Sequence, residues 1–356
     1  MDPILNAPLA PLTSFGVGGP AERLYTCKHL DDIEKAVDAG YDGPLWMLGY
    51  GANALISDAG LPGTTLLIRT KGITRQPGTD IIVAEAGEWW DDVVRFAIRE
   101  KLWGLELTSG IPGGVGAAIV GNIAAYGQAV SDTLLWVDVL DTTTRQVRQI
   151  PAVSLGLGYR SSSFQTDTFH GYIVLRAAFQ LQPQSTKELA YQAALDVALE
   201  RGFDTTTLPG RRKTVIETRK RAGSLWDYRK PEESLRTAGS FFRNPLVDTE
   251  TAERLMALDE TGRSLELLKK MNQVHGGEQK RVSAAHVLLA AGFKRGQTWG
   301  PVRLHPDHIL KIENTGDATA QNIYDVAHEI MDTVRDTLSI ELHPEVRFLG
   351  TFKEKP

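Results

Sequence analysis

The sequence predicts an α+β protein built in two parts, and three observations lead there. Strand-type alternation and helix-type periodicity both recur before residue 182. A polar break follows, Gln182-Pro183-Gln184-Ser185, and helical periodicity dominates beyond it. At 356 residues the chain has the length of two or three domains.

The elements can be taken in order. Residues 22–27 alternate weakly and read as a short strand after a Gly/Pro turn; residues 30–39 read as a helix. The apolar run 44–48 suits a buried strand, and 66–69 and 81–86 are further strands. Asp91-Asp92 open an amphipathic helix through Lys101, with the acids at its positive end, closing near Gly104. Residues 134–141 and 146–150 form a hairpin. Residues 172–182 place Ile173, Leu175, Ala177, Phe179 and Leu181 on one face of a half-buried strand. After the break come helices at 187–201, 213–221 and 320–338, the last striped by Ile323, Val326, Ala327, Ile330, Val334 and Leu338. No internal repeat or low-complexity tract is visible.

Composition narrows the function. With 39 Lys+Arg against 44 Asp+Glu the net charge is 39 − 44 = −5, and 42% hydrophobic with 23% charged residues is ordinary for a globular protein. Disorder is excluded, and the mild acidity makes no global case for nucleic acid as a partner. Cys27 is the single cysteine, which suits a reducing compartment and excludes a disulfide scaffold. The first residues lack a basic and then apolar leader pattern. Residues 107–131 carry no charge and have the length of a membrane span, but six glycines, Pro112 and polar Thr108, Ser109, Asn122, Gln128 and Ser131 read as buried turn backbone instead. A soluble cytoplasmic monomer, acting without a membrane, is expected. His305-Pro306-Asp307-His308 has no third convergent ligand and reads as surface, so no metal is expected.

Glycine stands out, at 34 residues against a background of about 7%. Gly16-Val17-Gly18-Gly19-Pro20-Ala21 and Gly49-Tyr50-Gly51-Ala52-Asn53-Ala54 both match the dinucleotide pattern G-x-G-x-x-G/A. That fingerprint needs a strand before, a helix after and an acid about 20 positions on. The first match leads into a strand; the second is followed by Gly60 and Pro62, with no acid between Asp58 and Asp80. Loops whose backbone N–H groups reach a phosphate remain open for both, beside plain turns.

Ser109-Gly110-Ile111-Pro112-Gly113-Gly114-Val115-Gly116, followed by Asn122-Ile123-Ala124-Ala125-Tyr126-Gly127, resembles a signature of the UDP-N-acetylenolpyruvoylglucosamine reductases, flavoenzymes of bacterial cell-wall synthesis. Further motifs stand in the family's order. Thr13-Ser14-Phe15-Gly16-Val17-Gly18-Gly19 is similar to its N-terminal signature, and Leu48-Gly49-Tyr50-Gly51-Ala52-Asn53 to its flavin-diphosphate loop. Gly158-Tyr159-Arg160-Ser161-Ser162-Ser163-Phe164, Ala238-Gly239-Ser240-Phe241-Phe242-Arg243-Asn244-Pro245 and Pro344-Glu345-Val346-Arg347-Phe348 complete the series.

The resemblance implies two FAD-binding subdomains, 1–70 and 71–182, of the p-cresol methylhydroxylase type. A C-terminal α+β substrate domain, 183–356, would follow, its last segment returning to the active site. The implied reaction reduces flavin with NADPH, then passes hydride from flavin N5 to the enolpyruvyl methylene carbon of a UDP-sugar. Negative charge then develops beside the substrate carboxylate, which calls for a cation and a proton donor. By family position Arg160 is the cation, Ser240 the proton donor, and Glu345 a neutral acid beside the enolate. Gly49, Gly51, Ala52, Asn53, Ser109, Gly110, Ile111, Pro112, Gly113, Gly116, Asn122, Ala125 and Gly127 take cofactor-binding positions. Tyr126, Tyr159, Arg219, Arg221, Asn244 and Arg347 take substrate-binding ones. Residues 211–230 hold eight Lys/Arg and two Asp/Glu, a local 8 − 2 = +6 that suits a diphosphate or, read plainly, a solvated helix face.

The chain departs from the family at Tyr50, Ala52, Gly121, Ala124 and Ala222, where the family's phosphate lysine would stand. A paralogue with another substrate, or a flavin-binding protein without activity, are the alternatives these departures leave.

Overall fold

Tyr172–Gln180 is the nine-residue strand on which the larger sheet is built. In the computed structural model, which describes residues 2–39, 43–169, 171–185, 187–257 and 280–354, it is the middle of five strands. Their order is Val147–Pro151, Leu134–Asp141, Tyr172–Gln180, Ile81–Glu85, Ile73–Arg75, and every neighbouring pair is antiparallel. The hairpin is in register, with Val139 opposite Arg148. The expected apolar face is buried, but Val174 and Ala178 on the other face are buried too, so that face is exposed only at Arg176 and Gln180.

A second sheet runs Ile4–Pro8, Pro20–Cys27, Leu61–Ile68, Leu45–Leu48, its last three strands parallel. A parallel connection needs a crossover, and helix Leu30–Asp38 supplies it between Pro20–Cys27 and Leu45–Leu48, which flank Leu61–Ile68. The Asp32 carboxylate caps that helix, accepting from the N–H groups of Lys28 and His29 at 2.9 and 3.0 Å. Leu61–Ile68 starts five residues before the strand expected at 66, because Pro62 and Gly63 look like breakers. They occupy a bulge between the Ala21/Leu61 and Arg23/Thr64 pairs, where the Gly63 N–H donates to Glu22 instead of the ladder.

Two compact units emerge. The first comprises Met1–Ala7, Ala21–Ala52 and Leu61–Ser234; the second Pro8–Pro20, Asn53–Gly60 and Leu235–Pro356. Helices Gln192–Arg201 and Leu208–Arg221 therefore belong to the first unit, beyond the composition break at 182–185. Its core joins both sheets through Cys27, Ile33, Leu66, Ile82, Trp90, Val137, Ala177 and Phe179.

The second unit centres on helix Ala320–Leu338, whose six-residue stripe is buried as its periodicity predicts. It packs with Phe15, Phe241, Leu288 and Ile312. Both oxygens of Asp58 accept from the first N–H groups of the helix, at Ala320 and Gln321, 2.9 Å each. The antiparallel strands Val302–His305 and His308–Asn314 enclose His305-Pro306-Asp307-His308 as their turn. This segment is not plain surface: His305 is buried, and burial holds the His308 imidazole down at about 4, so it is neutral at pH 7. The N-terminal glycines are structural as well. A Cβ at Gly19 would lie 2.2 Å from the Asp58 carbonyl oxygen and one at Gly18 3.0 Å from Ile56, so both are needed for close packing.

No described helix is long and apolar enough to cross a membrane. No group of three His, Cys, Asp or Glu among the described residues has the geometry to hold a metal ion.

Cys27 is fully buried, and desolvation, with Asp32 adding, pushes its thiol up to about 12. Iodoacetamide at pH 8 should leave the native protein unlabelled and add one label per chain in urea. Because the folded thiol titrates above its ordinary value of 9.0, its contribution to stability is whole below pH 9 and is lost as pH rises toward about 12.

Candidate functional site

The Gly49–Ala52 turn follows strand Leu45–Leu48 and is fixed from two sides. Arg69 donates to the Gly49 carbonyl at 3.0 Å and lies 4.1 Å over the Tyr50 ring. Tyr50 is buried against Trp89 and Tyr228, its hydroxyl donating to the Gly87 carbonyl at 2.9 Å. Lys71 reaches the Tyr50 hydroxyl, the Gly87 carbonyl and Glu88. Arg69, Trp89 and Trp226 carry no motif signal; the near-adjacent aromatics Trp226 and Tyr228 are the one available cue. Tyr50, a departure from the family pattern, thus has a packing role of its own.

The charge-free stretch 107–131 folds as turns around one short helix, Val115–Val120, and one small hairpin. Gly116 packs its floor, with a Cβ there 3.2 Å from Ala86; a Cβ at Gly114 would lie 3.2 Å from the Ala86 carbonyl oxygen. Gly113 differs. It is buried and has φ of +130°, yet a Cβ would meet nothing within 4 Å, so backbone walls an open slot there. Ile111 and Pro112 are half-buried beside it, and the Ser109 hydroxyl is spent on the Glu106 carbonyl at 2.6 Å. The hairpin pairs Ala125 with Gln128 across the two-residue turn Tyr126-Gly127, both at positive φ.

Three non-glycine residues here sit at positive φ: Asn122 at 39°, Tyr126 at 50° and Arg160 at 52°. Such strain persists where surrounding structure imposes it, and functional sites collect it. Asn122 spends its side chain inside the protein, donating to the Gly158 carbonyl at 2.8 Å and accepting from the Ser131 N–H at 3.0 Å. It thereby anchors the tight turn, closed by the Gly158/Ser161 bridge, that carries half-buried Tyr159 and Arg160.

Helix Leu208–Arg221 starts five residues earlier than the expected 213. The missed signal is Thr207 as N-cap, accepting from the Gly210 N–H at 3.2 Å, with Pro209 in the first turn. Four of its six cations make the following contacts. Arg211 pairs with Glu106 at 3.0 Å, both buried, and lies 4.9 Å over the Trp103 ring. Arg212 binds both Asp91 oxygens at 2.6 Å. Arg219 donates to the carbonyls of Gly110 at 3.1 Å and Ser224 at 2.8 Å. Burial pulls its guanidinium below the usual range, Tyr126 and Asp91 oppose that, and Arg160 adds to it. Arg219, Tyr126 and Arg160 thus share one electrostatic neighbourhood, a setting for an anion. Arg221 does not join it: its exposed guanidinium is committed to Glu200 at 2.6 and 2.8 Å and to Glu217 at 3.3 Å.

In the second unit, two motif segments cross. Phe242 pairs with Pro344, the Glu345 N–H donates to the Phe241 carbonyl at 2.7 Å, and the Arg243 N–H to the His343 carbonyl at 2.9 Å. Ser240 follows Gly239 at φ +83° and precedes two fully buried phenylalanines. The Asn53 side chain donates to the Glu345 carbonyl at 3.0 Å, and the Asn53 carbonyl accepts from the Arg347 N–H at 3.0 Å. Strands Ala54–Ile56 and Arg347–Leu349 continue this pairing in parallel. Burial and the neighbouring Arg243 both act against the charge of Arg347, again favouring an anion. Asn244 accepts from the Ala284 N–H at 2.9 Å, at the start of helix Ala284–Ala290.

A family model described as "UDP-N-acetylenolpyruvoylglucosamine reductase, C-terminal domain" matches residues 230–349, and one described as "FAD binding domain" matches residues 21–149. The chain is 35% identical to the UDP-N-acetylenolpyruvoylglucosamine reductase of Streptomyces avermitilis over 351 residues, 97% of this chain and 94% of that one. It is 34% identical to the enzyme of that name from Mycobacterium marinum over 362 residues, again 97% and 94%. Among solved structures it is similar to UDP-N-acetylenolpyruvylglucosamine reductase from Thermus caldophilus, with a TM-score of 0.65 at 24% identity and 98% of each chain covered.

The buried Glu106–Arg211 pair should dominate local stability. Glu106→Ala leaves Arg211 buried and uncompensated and should cost about 3–5 kcal/mol by urea unfolding. Arg221→Ala, which removes only exposed pairs, should leave the urea midpoint close to wild type.

Proposed function

The chain belongs to the UDP-N-acetylenolpyruvoylglucosamine reductase family, and from this we infer that it reduces the enolpyruvyl group of UDP-N-acetylglucosamine enolpyruvate to the lactyl ether. The product is UDP-N-acetylmuramate, for bacterial peptidoglycan synthesis. FAD is its cofactor and NADPH its hydride donor. Residues 1–182 serve the flavin and 183–356 the substrate, the basic helix included although it packs in the first unit. We take the protein to act in the cytoplasm as a monomer, without nucleic acid or membrane.

The residues present fit the flavin. The open, backbone-walled slot at Gly113 and the clamped turn at Gly49–Ala52 suit a group that needs main chain at close range. Ser109, Gly110, Ile111, Pro112, Gly116, Ala125 and Gly127 belong to the same wall by family position, with Asn53 at the end of the Gly49 turn. Asn122 supports it from behind through the Gly158 turn. Bound FAD supplies the hydride transfer between nicotinamide and the substrate double bond.

This chain's residues handle charge and protons. The planar fork of Arg160, with Tyr159 beside it, holds the substrate carboxylate, where negative charge grows once hydride reaches the methylene carbon. Ser240 gives its hydroxyl proton to the adjacent carbon, completing a two-electron reduction of the double bond. Glu345, neutral beside the carboxylate, donates a hydrogen bond to the developing enolate. Arg219 and Tyr126 meet the diphosphate, and Asn244 and Arg347 supply further substrate contacts; Arg221 is a weaker candidate because Glu200 and Glu217 already hold it. The crossing of the Ser240 and Glu345 segments is the observation that carries this reading: it supports a shared role for two residues more than a hundred positions apart.

Stopped-flow measurement of the two half-reactions tests it. Ser240→Ala should leave flavin reduction by NADPH intact and slow reoxidation by the enolpyruvyl substrate ~10²-fold or more. Equal impairment of both halves would remove Ser240 from its role. Glu345→Gln should turn over near normally while Glu345→Ala does not; equal loss in both variants would contradict the hydrogen-bond role.

A further inference from the structure

Gly110 is gripped from both ends of its chemistry. Its N–H donates to Asp91 Oδ1 at 2.7 Å, and its carbonyl accepts from Arg219 Nε at 3.1 Å. The same Asp91 carboxylate accepts from both terminal guanidinium nitrogens of Arg212 at 2.6 Å. Arg212 and Arg219 lie seven residues apart on helix Leu208–Arg221, two turns along one face. Arg212, Asp91, Gly110, Arg219 and the helix between the arginines therefore form a closed ring.

The ring's backbone at Gly110 takes a conformation that favours glycine. Gly110 has φ of +72°, and a Cβ there would lie 2.7 Å from Ile216 and 2.9 Å from Leu225. Asp91 also sits in the first turn of helix Trp90–Arg99, where an acid is common for its effect on the helix end alone. That role explains neither the bidentate pair with an arginine 121 positions away nor the bond to Gly110. Asp91 is only 9% exposed; burial pushes its carboxyl up, but Arg212 and the Gly110 N–H outweigh this and hold it below the usual range.

We propose that Asp91 is a positioning residue for nucleotide-diphosphate binding: through Arg212 and Gly110 it sets the helix and the loop so that Arg219 is presented to the diphosphate. The same ring links Arg219 to the Ser109–Gly113 wall of the flavin slot. The proposal rests on the reading above that Arg219 contacts the diphosphate.

Asp91→Asn is the informative variant, because an amide oxygen still accepts from the Gly110 N–H while the charge matched to Arg212 is gone. In the holoenzyme, UDP-N-acetylglucosamine binding, followed by the flavin difference spectrum, should weaken about tenfold, while flavin content and the rate of reduction by NADPH stay within about twofold. Arg212→Gln should reproduce this, which covers a folding failure of the first variant. Arg219→Ala should weaken binding at least as much, and Asp91→Asn added to it should cost nothing further. Wild-type affinity in Asp91→Asn beside weakened Arg219→Ala would overturn this proposal alone. Additive losses, or flavin reduction slowed as much as binding is weakened, would also overturn it by showing a general structural role. Wild-type affinity in Arg219→Ala would overturn the diphosphate reading beneath it as well.

Discussion

The first unit depends on how it spends the charge of one helix. Leu208–Arg221 carries Arg211, Arg212, Lys213, Arg219, Lys220 and Arg221, and a helix so basic has no apolar stripe wide enough to hold it by burial alone. Ion pairs hold it instead, the one to Glu106 buried and the one to Asp91 part-buried. Glu106 takes Arg211 and Asp91 takes Arg212, while the Thr214 and Thr218 hydroxyls turn back onto their own helix carbonyls. Removing either acid would strand a cation in a low-dielectric setting, which makes the placement specific as well as stable. Arg219 inherits its position from those two pairs. It is half-buried and donates to the carbonyls of Gly110 and Ser224.

The second unit solves a different problem. Its functional segments are short and irregular, so a regular frame must hold them. Helix Ala320–Leu338 and the strand pair Val302–His305 and His308–Asn314 supply that frame, and Phe15, Phe241 and Phe348 fill the space against it. The Phe15 carbonyl accepts from Asn314 at 2.9 Å, which ties the N-terminal glycine segment to this frame. Asn53 has a dual position, ending the Gly49 turn and bonding the backbone on both sides of Val346.

Much of this was legible in the residues. Helix Ala320–Leu338, the hairpin after residue 134 and the strand at 172 follow from plain periodicity; the helix buries one stripe, and the strand at 172 is exposed only at Arg176 and Gln180. The first half of strand Leu61–Ile68 and the strand pair at 302–314 were not legible. The former hides a bulge behind Pro62 and Gly63; the latter buries Lys311, Glu313 and Asn314, which composition assigns to the surface. The site divides the same way. Arg160, Ser240 and Glu345 announce themselves because their motifs are contiguous. Asp91, Glu106 and Arg212 do not, because each looks like an ordinary helix-end or surface charge until its partner, over a hundred residues away, is known.

On the proposed function, this chain carries electrons from a nicotinamide to an enolpyruvyl sugar nucleotide. Anaerobic titration of the flavin spectrum tests it most directly. NADPH should bleach the flavin band, and an equivalent of UDP-N-acetylglucosamine enolpyruvate should restore it, while UDP-N-acetylglucosamine does not. A protein purified without a flavin spectrum, or a bleached flavin that the enolpyruvyl nucleotide fails to reoxidise, would contradict it.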